Sequence, residues 1–160
     1  MNTGVPNGKQ FLTILTIVHL AMFGTMIGLG VIMFAIAQDP EFKFDTNKDP
    51  FFYIIPIASI LGPYLGYAIF NRQLKGLELH STLSKKLGSY QAASLIRFAL
   101  IEMAIFLCVI AFLSSDNLLY LTIAAALALY FWTLKPRKTQ IERRLAFTSD
   151  QRREFDASFH

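Results

Sequence analysis

Four long apolar blocks are the feature of this sequence that most restricts its fold. They cover about residues 11–37, 51–70, 92–113 and 117–134. A helix needs about 20 mostly apolar residues to cross a hydrocarbon core about 30 Å thick. Hydrophobic residues make up 54% of the 160-residue chain, more than the roughly 45–50% that is typical of soluble domains. We therefore predict an all-α integral membrane protein, a single membrane domain over residues 1–160 with four transmembrane helices.

The basic residues predict how these helices are oriented. Of the 15 Lys and Arg residues, only Lys43 and Lys48 lie between the first and second blocks, where they are mixed with acidic residues. Lys and Arg that flank membrane helices are retained on the cytoplasmic side. We therefore predict a cell (inner) membrane protein with cytoplasmic N- and C-termini, a cytoplasmic loop at 71–91 and a basic cytoplasmic tail at 135–160. The net charge of +4 then reflects topology, and we predict no nucleic-acid partner.

The spacing of the blocks predicts two helical hairpins. Residues 114–117 alone separate the third block from the fourth, and so short a connection requires antiparallel neighbours. The two halves of the chain also match at a constant offset of 78 residues, at which Ala21 aligns with Ala99 and Phe34 with Phe112. Duplication of one hairpin explains these matches, and so does shared apolar composition; both explanations stay open.

Among the residues of the apolar blocks, Glu102 has the highest free-energy cost of insertion into a membrane. A charged group at the centre of a membrane helix costs at least about 2.5 kcal/mol, so we expect Glu102 to be protonated or paired. It is either a carrier of protons or other ions, or a structural hydrogen-bond donor between helices. The candidate partner is His19, which the repeat places at the depth of Arg97. The other two histidines lie outside the blocks, which argues against a haem site, and we predict no cofactor.

Glycines spaced four residues apart predict where helices approach one another closely. Gly24 and Gly28 have this spacing in the first block, and Gly62 and Gly66 have it in the second. Small residues at this interval let helix backbones come together in membranes. We predict that all four glycines pack helices. The same surfaces serve equally well for contact with another chain, so self-association stays open.

Residues 56–113 contain three motifs of one known kind of hairpin. These are Gly62-Pro-Tyr-Leu-Gly66, the polar segment Asn71-Arg72-Gln73 and the apolar stretch 99–106 around Glu102. Together they resemble the hairpin of the rotary ATP synthase c subunit. The resemblance implies that Glu102 is a proton or sodium site and that Arg72 and Gln73 face a stalk. This chain differs from the family in its longer loop, its second hairpin and its basic tail.

The polar segments of the chain carry no recognisable catalytic site. They contain no phosphate-binding glycine loop, no nucleophile with a base and no metal-ligand spacing, so we predict neither an enzyme nor a metal protein. Four residues are candidates for contacts on the cytoplasmic side: Arg72, Gln73, Arg143 and Arg144. We predict a non-enzymatic subunit or accessory factor of a larger membrane complex. The alternative is a c-subunit-like protein that moves protons or sodium ions through Glu102.

Two sequence patterns predict short helices in the tail. Thr139 with Glu142, and Thr148 with Gln151, each have the spacing of a capping box. In a capping box the first side chain accepts a hydrogen bond from a backbone N–H three residues on, and the second side chain returns the bond. We therefore expect one helix to start near each threonine.

Overall fold

The computed structural model describes residues 8–44, 49–77 and 81–159. This part of the chain is all-helical, as predicted, and its only β-structure is one isolated bridge between Glu41 and Asn117. Its helices are α1 (Gly8–Ile36), α2 (Phe51–Lys75), α3 (Leu83–Ser115), α4 (Leu118–Thr133), α5 (Lys138–Leu145) and α6 (Ser149–Ala157).

Three helices, α1, α2 and α3, are long and apolar enough to cross a membrane. The fourth helix, α4, has 16 residues and reaches that length only when it is counted together with α5, which it meets at a bend of 75°. Large apolar side chains are exposed along α1 and α2. Apolar surface of this extent is a liability in water and suits contact with lipid. The chain therefore has three to four candidate membrane-spanning helices.

The central helix of the bundle is α3. In the most apolar stretch of α3, 44% of the residues are buried, compared with 11% in the corresponding stretches of α1 and α2. It packs against α1, α2 and α4, while α1 packs mainly on α3 and α4. The prediction that the first two helices pack together as a hairpin is therefore wrong, because α1 and α2 are not close neighbours in the described chain. The long connection between them lets α2 pack on α3 instead.

Glycines explain the close contact between α2 and α3. A Cβ atom added at Gly62 would lie 2.9 Å from the backbone oxygen of Leu100, and one added at Gly66 would lie 3.1 Å from Cγ of Arg97. Only a residue without a side chain allows this approach. Gly24 and Gly28 have no neighbouring atoms within 4 Å of the same position. Their predicted role in packing helices of this chain is therefore a misassignment: both lie on a face of α1 that is turned away from α3 and α4.

Most of the segment predicted as a loop at 71–91 is helical. The second helix continues to Lys75, and α3 begins at Leu83 after Thr82, whose side chain accepts a hydrogen bond from the backbone N–H of Lys85. The added turns are polar on one side but bury Leu87 and Tyr90 on the other. Hydropathy marks where a helix leaves lipid and not where the helix ends, which is why the prediction ended the second helix too early and began the third helix too late.

One asparagine organises the end of the bundle that we call the acidic end, residues 38–44, 49–50 and 114–117. Asp116 ends α3 in a left-handed conformation with φ 53°. Asn117 then caps α4 by accepting a hydrogen bond from the N–H of Leu119. The same side chain accepts a bond from the backbone N–H of Lys43 at 3.1 Å and donates one to its carbonyl at 2.8 Å. Asn117 therefore ties the connection before α2 to the turn between α3 and α4.

The tail folds back on the opposite end, which we call the basic end: residues 70–77, 81–97 and 133–159. Phe155 of α6 covers the start of α1, where a Cβ atom at Gly8 would lie 2.6 Å from its ring. The ammonium group of buried Lys86 donates to Oε1 of Gln151 at 2.9 Å. Gln151 in turn donates to the carbonyl of Ser81 at 2.8 Å. The tail is thus packed against the bundle and is not a separate unit.

The two predicted capping boxes in the tail have different outcomes. Thr148 and Gln151 form a complete capping box at the start of α6. The box predicted at Thr139 is wrong, because α5 begins one residue earlier, at Lys138, and its N-cap, Arg137, makes no side-chain capping bond. Thr139 is therefore the second residue of α5. The backbone N–H three residues ahead of it is already bonded within the helix, so it needs no side-chain acceptor.

Candidate functional site

His19 is completely buried and is surrounded by aromatic rings. Its ring is stacked on that of Phe131, with centroids 4.5 Å apart and planes 8° apart, and lies 5.0 Å from the ring of Phe98. Neither ring nitrogen has a hydrogen-bond partner among the described residues. Leaving a buried donor or acceptor unpaired costs about 1–3 kcal/mol. His19 is therefore an unsatisfied polar group in the core between α1, α3 and α4.

Glu102 lies at the boundary between the core and the outer surface of α3. The preceding residue, Ile101, is fully buried, the following residue, Met103, is 59% exposed, and Glu102 itself is partly exposed. Its carboxyl group makes no hydrogen bond or ion pair within the described chain. The predicted pairing of His19 with Glu102 is therefore not present, because the imidazole ring is held between Phe98 and Phe131.

Aromatic contacts place α1 and α3 side by side in the same direction. The rings of Phe11 and Tyr90 are 6.5 Å apart, and those of His19 and Phe98 are 5.0 Å apart. The partners are 79 residues apart in both pairs, close to the offset of the sequence repeat. It follows that Gly24 of α1 lies at about the depth of Glu102, since both are one to two turns beyond the second contact.

The basic end of the bundle contains a cavity of about 180 Å³. Helices α2, α3, α4 and α5 all contribute to its wall, and the wall holds three arginines and no acidic residue. The lining residues are Tyr67, Phe70, Tyr90, Ser94, Arg97, Phe98, Thr133, Leu134, Pro136, Gln140, Arg143 and Arg144. We refer to this space as the arginine cavity. Three arginines and four aromatic rings meet around it.

Arg97 connects the arginine cavity to the core of the bundle. Its Nη2 donates to the hydroxyl of Tyr130 at 2.8 Å, and its Cζ lies 5.7 Å and 5.5 Å from the ring centroids of Tyr67 and Phe70. The buried Nε–H has no acceptor among the described residues. Arginine commonly places its apolar stem along a helix and its charged group at the membrane interface. Here aromatic faces, which attract cations, hold the guanidinium group.

The four predicted contact residues separate into two pairs. Arg143 and Arg144 line the arginine cavity, and Nη1 of Arg144 donates to Oδ1 of Asn71 at 3.2 Å. Arg72 and Gln73 lie in the last turns of α2, outside the cavity wall, and Arg72 is exposed. The resemblance to a c subunit implies a polar turn at these two residues, whereas they are helical in this structure. Arg97 was not predicted as part of a basic site, because it lies inside the third apolar block and far along the chain from Arg143 and Arg144.

Comparisons with known proteins give no match to a family model, to a curated protein or to a solved structure. Within the described residues, no group of three or more His, Cys, Asp or Glu side chains is placed to hold a metal ion. A function for this chain therefore has to be inferred from the geometry of Glu102, His19 and the arginine cavity.

Proposed function

We propose that this chain is a four-span membrane protein with cytoplasmic termini that serves as a non-enzymatic subunit or accessory factor of a larger membrane complex. The observation that carries the proposal is the carboxyl group of Glu102, which is partly exposed on α3 and has no partner among the described residues. Glu102 precedes Ser115, the last residue of α3, by 13 residues, or about 20 Å of helical rise. That depth lies within a hydrocarbon core about 30 Å thick.

A partly exposed carboxyl group at this depth favours a partner from another chain. Ionisable side chains inside membranes almost always face a bundle interior or pair with another group, and His19 does not provide that pair. The exposed face of α1 has open space at Gly24 and Gly28, which leaves room for a helix of a neighbouring protein to approach closely. A partner helix that donates a hydrogen bond to Glu102 would satisfy the carboxyl group, and the open face of α1 offers a separate surface for a second helix of the complex.

Charge and helix length support the proposed topology. The basic end carries Lys75, Lys85 and Lys135 together with the arginines of the tail, and basic flanks are retained in the cytoplasm. The 16 residues of α4 extend about 24 Å, so the flanking residues and a thinner local bilayer complete the fourth crossing. After the 75° bend, α5 then lies along the membrane surface.

Purification of the full chain in mild detergent, expressed at its native level, tests this function. We expect the wild-type protein to bring down a membrane-protein partner in a fixed ratio, and Glu102→Leu to lose it. Glu102→Gln keeps hydrogen-bonding capacity and should retain part of the partner. Met103→Leu, at an exposed neighbouring position, is the control and should retain all of it. A wild-type protein that purifies alone, or a Glu102→Leu variant with its partner intact, would refute the proposal.

The same carboxyl group favours ion translocation as a second function. A partly exposed acidic group without a fixed partner among the described residues is free to take up and release a proton. On this hypothesis, wild-type protein in sealed vesicles moves protons, Glu102→Gln does not, and a hydrophobic carbodiimide modifies Glu102 slowly at high pH. Vesicles in which wild type and Glu102→Gln conduct equally would rule this function out and leave the subunit proposal in place.

A further inference from the structure

The arginine cavity has the chemistry of an anion site. Both Arg97 and Arg144 lie near the ring of Phe70, with Cζ 5.5 Å and 6.0 Å from its centroid. Arg143 lines the same space and makes no ion pair or hydrogen bond with the described residues. Three like charges around one cavity repel one another, and no acidic side chain in the wall offsets them. A bound anion would remove this repulsion.

The donors that remain available match a phosphate group. The Nε–H of Arg97 is buried without an acceptor among the described residues, and the whole guanidinium group of Arg143 is free for an external ligand in the described chain. Arginine binds phosphate through two parallel N–H donors, in short charge-assisted hydrogen bonds. A cavity of about 180 Å³ holds several water-sized groups, which is the room that the oxygens of a phosphate ester require.

The position of the cavity identifies the source of the phosphate as lipid. Its wall is formed by α2, α3, α4 and α5, and Tyr67, which contributes to this wall, is 48% exposed on a helix with an apolar outer surface. One to two turns further along α2, Tyr64 and Ile60 are 64% and 71% exposed. Acyl chains from a lipid whose head group occupies the cavity would contact this apolar surface, and basic pockets between membrane helices are typical of anionic lipid sites.

We infer that the arginine cavity binds the phosphate group of an anionic phospholipid from the leaflet at the basic end. Arg97 and Arg144 are positioned by Tyr130 and Asn71, and Arg143 supplies the further charge that completes the site. This inference does not depend on the function proposed for Glu102, because Glu102 does not line the cavity.

Titration of the purified full chain in mild detergent, with bound lipid counted by native mass spectrometry, tests the inference. We expect one phosphatidylglycerol to bind at low lipid concentration and phosphatidylcholine to bind more weakly. Arg143→Gln and Arg144→Gln should each weaken phosphatidylglycerol binding roughly tenfold or more, the effect expected for loss of a charge-assisted hydrogen bond. The control Arg153→Gln removes an exposed charge from α6, outside the cavity, and should leave the affinity within about twofold of wild type.

Arg97→Gln removes the buried donor, but it also breaks the bond to Tyr130, so the α5 variants are the decisive ones. Equal affinities of wild type, Arg143→Gln and Arg144→Gln would overturn the inference, as would equal binding of the two lipids. An equal loss in Arg153→Gln would show general attraction to a basic surface and would overturn it too. Glycerol 3-phosphate is titrated separately. If it binds as tightly as phosphatidylglycerol, the ligand is a soluble phosphate ester and the lipid assignment is wrong.

Discussion

At the scale of single residues, the polar groups in this molecule fall into two kinds. Asn117 and Gln151 each make three side-chain hydrogen bonds and hold segments together. His19 and Glu102 have no polar partner among the described residues, although burying or inserting such groups is costly. The first kind explains the architecture, and the second kind is where stability and function are expected to conflict.

Replacement of His19 by phenylalanine should stabilise the protein. The new ring can stack on Phe131 and Phe98 as the imidazole does, while the unpaired nitrogens are removed. We expect the free energy of unfolding in detergent to rise by about 1–3 kcal/mol. His19→Ala is the comparison and should lower it by roughly 3–5 kcal/mol, because a cavity replaces the ring. Destabilisation by His19→Phe would contradict the expectation that removing the unpaired nitrogens stabilises the core.

Replacement of Asn117 by alanine should loosen the acidic end. It removes the cap on α4 and both hydrogen bonds to Lys43, at a cost of about 2–4 kcal/mol for three bonds at roughly 1 kcal/mol each. Asn117→Asp keeps the acceptor but loses the donor, so it should cost less. Hydrogen exchange at the amide of Lys43 measures the effect. Ser114→Ala, which removes only an exposed bond within α3, should leave this exchange unchanged.

At the scale of helices, the distance between two packed helices depends on where glycine, which has no side chain, lies at their contact. The approach of α2 to α3 requires Gly62 and Gly66, whereas the glycines of α1 leave a free surface. The ends of the bundle are fastened differently. Polar bonds from Asn117 close the acidic end, and the basic end is closed by α6 through Phe155 and Gln151.

Gly62→Ala should separate α2 from α3. The added methyl group would lie 2.9 Å from a backbone oxygen that cannot rotate away, and overpacking of this kind typically costs about 1–3 kcal/mol. Gly24→Ala is the matched control. It meets no atom within 4 Å and improves helix propensity by up to about 1 kcal/mol, so its thermal stability in detergent should equal or exceed that of wild type. Equal behaviour of the two variants would contradict this account of the contact.

Gln151→Ala should release the tail while helices α1 to α4 stay folded. The change removes the bonds to Lys86 and Ser81 and half of the capping box of α6, and it leaves the ammonium group of Lys86 buried with one weak acceptor. We expect limited proteolysis to cut between α5 and α6 at least about tenfold faster, corresponding to a loss of about 1.4 kcal/mol or more. Glu154→Ala, an exposed position on the same helix, should be cut at the wild-type rate.

At the scale of the whole molecule, the sequence predicts the apolar helices well and their neighbours poorly. Long apolar blocks are recognisable one at a time, because each needs only its own length to match lipid. The packing of α1 could not be foreseen in this way. Its sequence is apolar on nearly all sides, so no stripe indicates which face meets α3, or that His19 points inward. Residues 97 and 143 both line the arginine cavity only because the chain bends by 75° between α4 and α5. Local sequence patterns do not encode this bend.

The proposed orientation rests on charge alone, and the single buried cysteine makes it easy to test. Cys108 is fully buried, so a membrane-impermeant maleimide should not label the wild-type protein in intact cells. Phe44→Cys places a thiol at a position that is 71% exposed at the acidic end, and we expect it to be labelled in intact cells. Arg153→Cys, exposed on α6, should be labelled only after the membrane is permeabilised.

The same pair of variants also counts the crossings. A four-span chain places α6 on the opposite side of the membrane from residue 44, whereas a three-span chain places α6 on the same side as residue 44. Labelling of both thiols in intact cells would mean that α4 does not cross the membrane, and labelling of Arg153→Cys alone would mean that the basic end faces outward.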